Sequence, residues 1–181
     1  MGKFNNRPNT PHKLNDGRII WESRSVAVVA CVFALCDKEL YVLSGKRGKG
    51  AFDSNGKWNL PCGYLDFDED GKEAVMREVY EETGLDLSQY LGTHQLVINN
   101  LDNPWFVNTQ PTENRQNVAL RYGCVIKVHK LPELTNEHSE LDEVESLEWI
   151  HEDFIEDYDW AFEHSKVIKK YLDIIDITHL L

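Results

Sequence analysis

GYLDFDEDGKEAVMREVYEETGL, residues 63–85, is the stretch whose reading decides the rest. Residues 70–83 have helical character, and Gly84 is placed to stop the helix in the left-handed C-cap conformation. At about 100° per residue, Glu78, Glu81 and Glu82 share one arc of that helix, while Val75, Met76, Val79 and Thr83 share the adjacent one. One arc packs and the other presents carboxylates. Arg77 precedes Glu81 by one helical turn, close enough to pair with it and hold one rotamer. Carboxylates crowded together repel unless something positive sits among them, and a divalent cation meets that need. Oxygen donors without His or Cys suit Mg2+ or Mn2+ better than zinc. Such ions bridge to phosphates, so the chemistry favoured is attack of an activated water on phosphorus, with a remaining glutamate taking the water's proton. A bare Glu-x-x-Glu-Glu is also what an ordinary solvated helix face looks like, because glutamate is a good helix former.

Outward from this helix, Val26–Cys36 is β-rich and apolar on both faces, as a central buried strand is. Residues 40–43 read as its neighbour, with Asp37-Lys38 at the turn. Gly45-Lys46-Arg47-Gly48-Lys49-Gly50 reads as a basic, glycine-rich loop; Ala51 follows Gly50, so it is not a P-loop. Residues 58–63 read as a short strand running into a turn. Residues 96–98 and 119–128 read as strands. Between them runs a long polar loop containing Asn103-Pro104-Trp105-Phe106 and Gln110-Pro111-Thr112-Glu113. Residues 133–148 are acidic and lead into a last strand at Leu147-Glu148-Trp149-Ile150, and residues 159–175 fit an amphipathic closing helix. The expectation is one α+β domain over residues 21–181, an α/β/α sandwich with a mixed central sheet. Residues 1–20 precede it as a flexible lead-in or as a strand drawing order from the body.

A length of 181 residues suits one such domain, and 41% hydrophobic with 28% charged residues allows a sizeable core. With 31 acidic against 19 basic side chains the net charge is -12, which opposes nonspecific attraction to nucleic acid or anionic lipid. No nucleic-acid or membrane partner is expected. Val26–Cys36, the longest apolar stretch, falls far short of the roughly 20 residues that span a bilayer. The opening residues are polar and lack a secretory apolar block, so the expected location is cytoplasmic. Cys31, Cys36, Cys62 and Cys124 form no Cys-x-x-Cys pair and read as reduced thiols.

Gly63, Glu69, Arg77, Glu78, Val79, Glu81, Glu82, Gly84 and Leu85 fill every position of Gly-x5-Glu-x7-Arg-Glu-U-x-Glu-Glu-x-Gly-U, where U is apolar. On these residues the sequence resembles the Nudix hydrolases. The resemblance implies a Mg2+- or Mn2+-dependent pyrophosphohydrolase acting on a nucleoside diphosphate linked to another moiety, with ADP-ribose-like compounds as the first guess. It implies that Glu78 and Glu82 are the principal metal ligands and that Glu81 is a further ligand or water activator. Arg77 would orient the glutamates, Glu69 would support the loop or contact the metal through water, and Gly63 would allow the tight turn before it. The backbone carbonyl of Cys62 would face the metal. The chain departs from the family's frequent Pro-Gly-Gly here, having Pro61-Cys62-Gly63, and the turn's conformation is what that change touches. Two alternatives stand beside this reading: a ligand-binding regulator on the same fold, and a diphosphate isomerase using Cys62 with a glutamate.

Family members often take a further glutamate from a late loop, and Glu140 and Glu143 are its candidates, Glu143 as base or ligand. For substrate contacts the candidates are Arg47 and Lys49 in the glycine-rich loop, Trp105 and Phe106 as stacking aromatics, and Arg115 and Arg121 beside the strand that follows. His164 reads as structural, and Ala161-Phe162-Glu163-His164 faintly resembles a stretch in ADP-ribose-directed members. The expected partner is a small nucleotide, with a homodimer as the assembly to test.

Overall fold

The computed structural model describes residues 7–112 and 115–175. Residues 1–6, Glu113 of the long loop and residues 176–181 at the expected end of the domain lie outside the described residues. In chain order the strands are β1 (Thr10–Lys13), β2 (Ile19–Glu22), β3 (Val26–Cys36), β4 (Glu39–Arg47), β5 (Trp58–Asn59), β6 (Cys62–Tyr64), β7 (Leu96–Asn100), β8 (Phe106–Asn108), β9 (Val118–Val128) and β10 (Val144–His151). The helices are α1 (Gly71–Thr83) and α2 (His164–Ile174).

Strand β3 explains the layering. Its Val29, Cys31, Phe33 and Leu35 enter one core with Val42, Val125, Ile150, Val167, Ile168 and Tyr171. The alternate residues Val28, Ala30 and Val32 enter a second core with Leu43, Ala74, Val75, Val79, Leu101 and Cys124. A strand with period-two side chains that is apolar at every position must be covered on both faces, and α2 covers the first face while α1 covers the second. The α/β/α sandwich expected from the sequence is what the chain forms. The main sheet runs β10-β4-β3-β9-β7; β3 and β9 are parallel from Val26↔Val118 to Cys36↔Val128, and the other pairings are antiparallel.

One irregularity opens the site. β3 pairs with β4 only from Phe33 to Cys36, then exchanges this partner for β6, which pairs with Ala27 to Val29. β4 continues away, held by β10 and β5. The sheet therefore forks, and a cleft lies between the diverging strands.

Several elements depart from the sequence expectation. β4 extends to Arg47 because β10 pairs along it, so Gly45-Lys46-Arg47 belong to a strand rather than to the glycine-rich loop. The closing helix begins at His164 instead of residue 159. Phe162 and Glu163 hold left-handed φ values of 56° and 58°, which a right-handed helix does not accommodate, and they form part of the short turn Ala161–Glu163 ahead of α2. The long polar loop contains β8, which pairs with β9. From Thr10 the lead-in forms a hairpin in which β1 and β2 pair only with each other and leave Ile19, Ile20 and Trp21 exposed. Among the described residues no helix is long and apolar enough to cross a membrane.

Candidate active site

Helix α1 is fixed at both ends by its own sequence. The Asp70 side chain accepts from the Lys72 and Glu73 N–H groups at 2.9 Å, and the Glu73 carboxylate accepts from Asp70 N–H at 2.8 Å, a reciprocal cap. At the other end Gly84, at φ 72°, donates its N–H to the Tyr80 carbonyl. The helix therefore presents its carboxylates at a set height against β6.

Arg77 organises them. Its Nε and Nη2 reach the two oxygens of Glu69 at 3.0 and 2.8 Å, a bidentate pair. Nη1 donates to Glu78 at 2.8 Å and to Glu81 at 3.0 Å, and Nη2 also donates to the Tyr64 carbonyl at 3.1 Å. Arg77 holds the Glu69 carboxyl below the usual carboxylate range, and in return the carboxylates lift the guanidinium above its own. Glu82 sits apart from this fork and deeper: it is 5% exposed, within the packed face of α1, and accepts the Cys62 N–H at 3.3 Å. Burial pushes Glu78 up to about 7 against the pull of Arg77. Burial, reinforced by the neighbouring Glu78, pushes Glu82 well above the ordinary range.

Gly63 serves a purpose other than the tight turn expected of it. It lies in β6, and a Cβ there would overlap the Glu78 carboxylate. What the position needs is the absence of a side chain. Cys62 likewise has no left-handed φ, so a non-glycine residue beside Gly63 costs the backbone nothing. Gly63→Ala is expected to cost about 2 kcal/mol of stability by over-packing. It should also lower turnover roughly a hundredfold by displacing Glu78. Steady-state rates of the Ala variant equal to wild type would contradict this reading of the contact.

Glu143 reaches the same region through backbone contacts. Gly48 N–H donates to the Glu143 carbonyl at 2.7 Å and Gly50 N–H to the Asp142 carbonyl at 2.8 Å, and a Cβ on either glycine would strike the 141–142 backbone. The glycines thus let two loops close on each other and seat Glu143 beside Arg47. Burial, then Glu140, raises the Glu143 carboxyl.

The cleft, of about 650 Å3, is lined by Arg47, Arg115, Arg121, Cys62, Glu143, Phe162 and His164 among others. Arg47 and Arg115 lie 5.0 and 3.9 Å from the centroid of the Phe162 ring. Arg121 crosses the Phe106 ring at 5.1 Å, and its buried Nε has no hydrogen-bond partner. His164 accepts the Leu60 N–H on Nδ1 at 2.9 Å, and burial holds its pKa down to about 3. The ring is therefore neutral, with its proton on Nε2.

The structure brings Glu78, Glu81, Glu82, Arg77 and Cys62 together on one side and places Glu143, Arg47 and Arg121 along the cleft. Trp105, expected to stack on a base, does not line the cleft: its ring packs on Tyr171 at 5.2 Å in the core beneath α2. The reason is the pairing of β8 with β9, which turns that part of the long loop into sheet. Glu140 and Lys49 are exposed outside the lining. Phe162 and Arg115 do line the cleft, together with Phe52, Tyr64, Arg47 and Arg121. Phe162 carried only the faint local resemblance noted above, and its left-handed φ was the signal that the sequence could not display.

Among the described residues no three His, Cys, Asp or Glu side chains converge as a ready-made ion cage, and Arg77 holds oxygens of both Glu78 and Glu81. The donor set nevertheless suits a hard divalent cation: Glu78 and Glu82 are carboxylates removed from water, costly to ionise side by side and relieved by positive charge.

An arginine-braced set of helix carboxylates opening beside an arginine-lined cleft, in an α/β/α sandwich, defines a phosphate-handling domain. The profile described as the NUDIX domain matches residues 25–171, and the chain belongs to that family. A curated relative, the RNA pyrophosphohydrolase of Gluconacetobacter diazotrophicus, is 42% identical over 55 residues, so the match spans 28% of this chain and 33% of that protein. The NUDIX domain of Shewanella oneidensis NrtR, solved with ADP ribose, superposes with a TM-score of 0.62 at 19% identity, covering 84% of this chain and 88% of that one. A bifunctional NMN adenylyltransferase/ADP ribose pyrophosphatase from Francisella tularensis, solved with AMP and a manganese ion, gives a TM-score of 0.63 at 23% identity over 83% of this chain and 41% of that one.

Proposed function

We propose that the protein is a pyrophosphohydrolase that cleaves the diphosphate linkage of a nucleoside diphosphate joined to a second moiety, with ADP-ribose-like compounds as its first substrates. The observation that carries this is the Glu69-Arg77-Glu78-Glu81 network, with Glu82 buried next to it against Cys62, standing beside a cleft that holds three arginines. Glu78, Glu82, Glu81 and the Cys62 carbonyl would hold a Mg2+ or Mn2+ ion, which when bound supplies positive charge against the phosphate oxygens and acidifies water. Arg77 keeps the helix carboxylates in place. Glu143, whose raised pKa favours holding a proton, takes the one that water gives up. Arg47 and Arg121 bind the phosphates, and Phe162 offers a flat face to a base or sugar. A cleft of about 650 Å3 is of the size that takes a small-molecule ligand. The Shewanella and Francisella relatives, one bound to ADP ribose and the other named for its hydrolysis, support this choice of substrate.

The isomerase alternative asks the Cys62 thiol to exchange protons. Burial, then the neighbouring Glu82, pushes that thiol up to about 12 against the lowering pull of the Asn59 amide, which donates to it at 3.6 Å, so it is a poor acid at neutral pH. The test is a panel of ADP-ribose, sugar nucleotides, dinucleotides and an isoprenyl diphosphate, incubated with Mg2+, Mn2+ or EDTA and read by chromatography. Release of AMP from ADP-ribose with metal and not with EDTA is the expected result. Conversion without cleavage would select the isomerase, tight binding without turnover would select the regulator, and either would overturn the hydrolase.

A further inference from the structure

One carboxylate stands where two arginines of the cleft converge. Asp53 accepts from Arg115 Nη2, and its Oδ1 lies 3.7 Å from Arg47 Nη2, while Arg47 Nε donates to the Asp53 carbonyl at 2.9 Å. The three residues come from different places: Arg47 ends β4, Asp53 lies in the connection to β5, and Arg115 lies in the connection from β8 to β9. Their contact stands between the main cleft and a smaller hollow of about 180 Å3, which shares Phe52, Tyr64, Arg115 and Asn117 with it. Asp53 satisfies the pair incompletely. Its Oδ1 is buried and has no hydrogen-bond partner among the described residues, and 3.7 Å to Arg47 is an ion contact too long for a hydrogen bond. A carboxylate has two oxygens in one plane, whereas a phosphate offers more acceptors in a tetrahedron and engages two guanidiniums at once. Both guanidiniums also lie over the Phe162 ring, at 5.0 and 3.9 Å from its centroid, which gives them a hold besides Asp53.

We propose that Arg47 and Arg115 form an anion site for a phosphate group of the substrate, and that Asp53 is its internal placeholder, displaced when the phosphate arrives. The inference deepens the hydrolase reading and rests on it only for the identity of the arriving group. With the placeholder in position, the two guanidiniums keep a counter-charge while the cleft is empty. An entering ligand must out-compete a negative charge already present, a demand that a diphosphate meets better than a small monoanion.

Inorganic pyrophosphate is the probe, titrated in EDTA by calorimetry into the full chain. Asp53→Asn keeps the shape and removes the charge, and it is expected to bind pyrophosphate about tenfold more tightly than wild type. Adding Arg115→Gln to it should abolish the gain. Weaker binding by Asp53→Asn, the result if Asp53 merely holds the arginines in place, overturns the proposal, and so does unchanged binding. If a thermal melt shows that Asp53→Asn does not fold, Arg115→Gln alone carries the test: a fall in affinity of about tenfold is expected, and an unchanged affinity removes the site. The assay contains neither metal nor turnover. Failure of the hydrolase reading would appear in the substrate panel and failure of the placeholder would appear here, each without the other.

Discussion

Glu82→Gln is expected to lower hydrolysis about a thousandfold while making the metal-free protein more stable at pH 8. The two effects share one cause. Glu82 is 5% exposed, and burial raises its carboxyl well above the ordinary range, so ionising it inside the fold is costly. A carboxyl whose folded pKa lies above its unfolded value binds a proton more tightly in the native state. Stability is then fully present below the unfolded pKa and declines as pH rises toward the folded one. For Glu78 that window runs from about 4.5 to about 7, and the loss is on the order of 3 kcal/mol. Glu82 adds in the same direction over a range that extends higher. Glutamine keeps an oxygen for the Cys62 N–H and carries no charge, so the variant escapes its share of the penalty. Magnesium or manganese should stabilise wild type more at pH 8 than at pH 5.5, by roughly 3 kcal/mol at a hundredfold excess over Kd, and should barely move Glu82→Gln. Urea unfolding followed by tryptophan fluorescence, with EDTA or metal, reads all of this. A Gln variant that is less stable than wild type in EDTA at pH 8, or that turns over normally, refutes the role given to Glu82.

Arg77→Ala is expected to cost about 3–5 kcal/mol, because it leaves paired, partly buried carboxylates without their cation. Glu69 loses a bidentate partner and Glu78 loses its nearest positive charge, both with side chains only 13% exposed. Glu81, with nearly half its side chain in solvent, contributes little to that sum. The deficit should widen from pH 5 to pH 8 as the abandoned carboxylates ionise. Arg77→Lys should recover only part of it, since an ammonium cannot span both Glu69 oxygens while also reaching Glu78. Equilibrium unfolding of the three proteins at two pH values is the measurement. A loss below about 1 kcal/mol at both would show the network to be decorative.

Much of this was legible beforehand. Burial of Val26–Cys36 on both faces, the α1 boundaries, the Gly84 cap and the gathering of Glu78 and Glu81 by Arg77 all follow from residue type and spacing along one element. What was hidden depends on partners far away in the chain. The length of β4 is set by β10, the burial of Trp105 by β8 and α2, and the late start of α2 by left-handed residues at 162 and 163. Glu82 is the instructive intermediate case: its position on the helix could be read, whereas its depth comes from β6 lying across it. Gly63 was noticed for the wrong property, because a turn is written in local sequence and a clearance from Glu78 is not.

The exchange of β4 for β6 along β3 has an evolutionary consequence. The connections that hang from the fork, 48–57 and 109–117, emerge from strands whose far ends are anchored in both cores. Outside Gly48 and Gly50, residues there can change with little effect on the carboxylate helix, which is tied to the opposite branch through Cys62 and Tyr64. The helix carboxylates and the loop around Asp53 are thus carried on separate branches of one sheet, and a lineage can reshape the cleft by rewriting one branch alone.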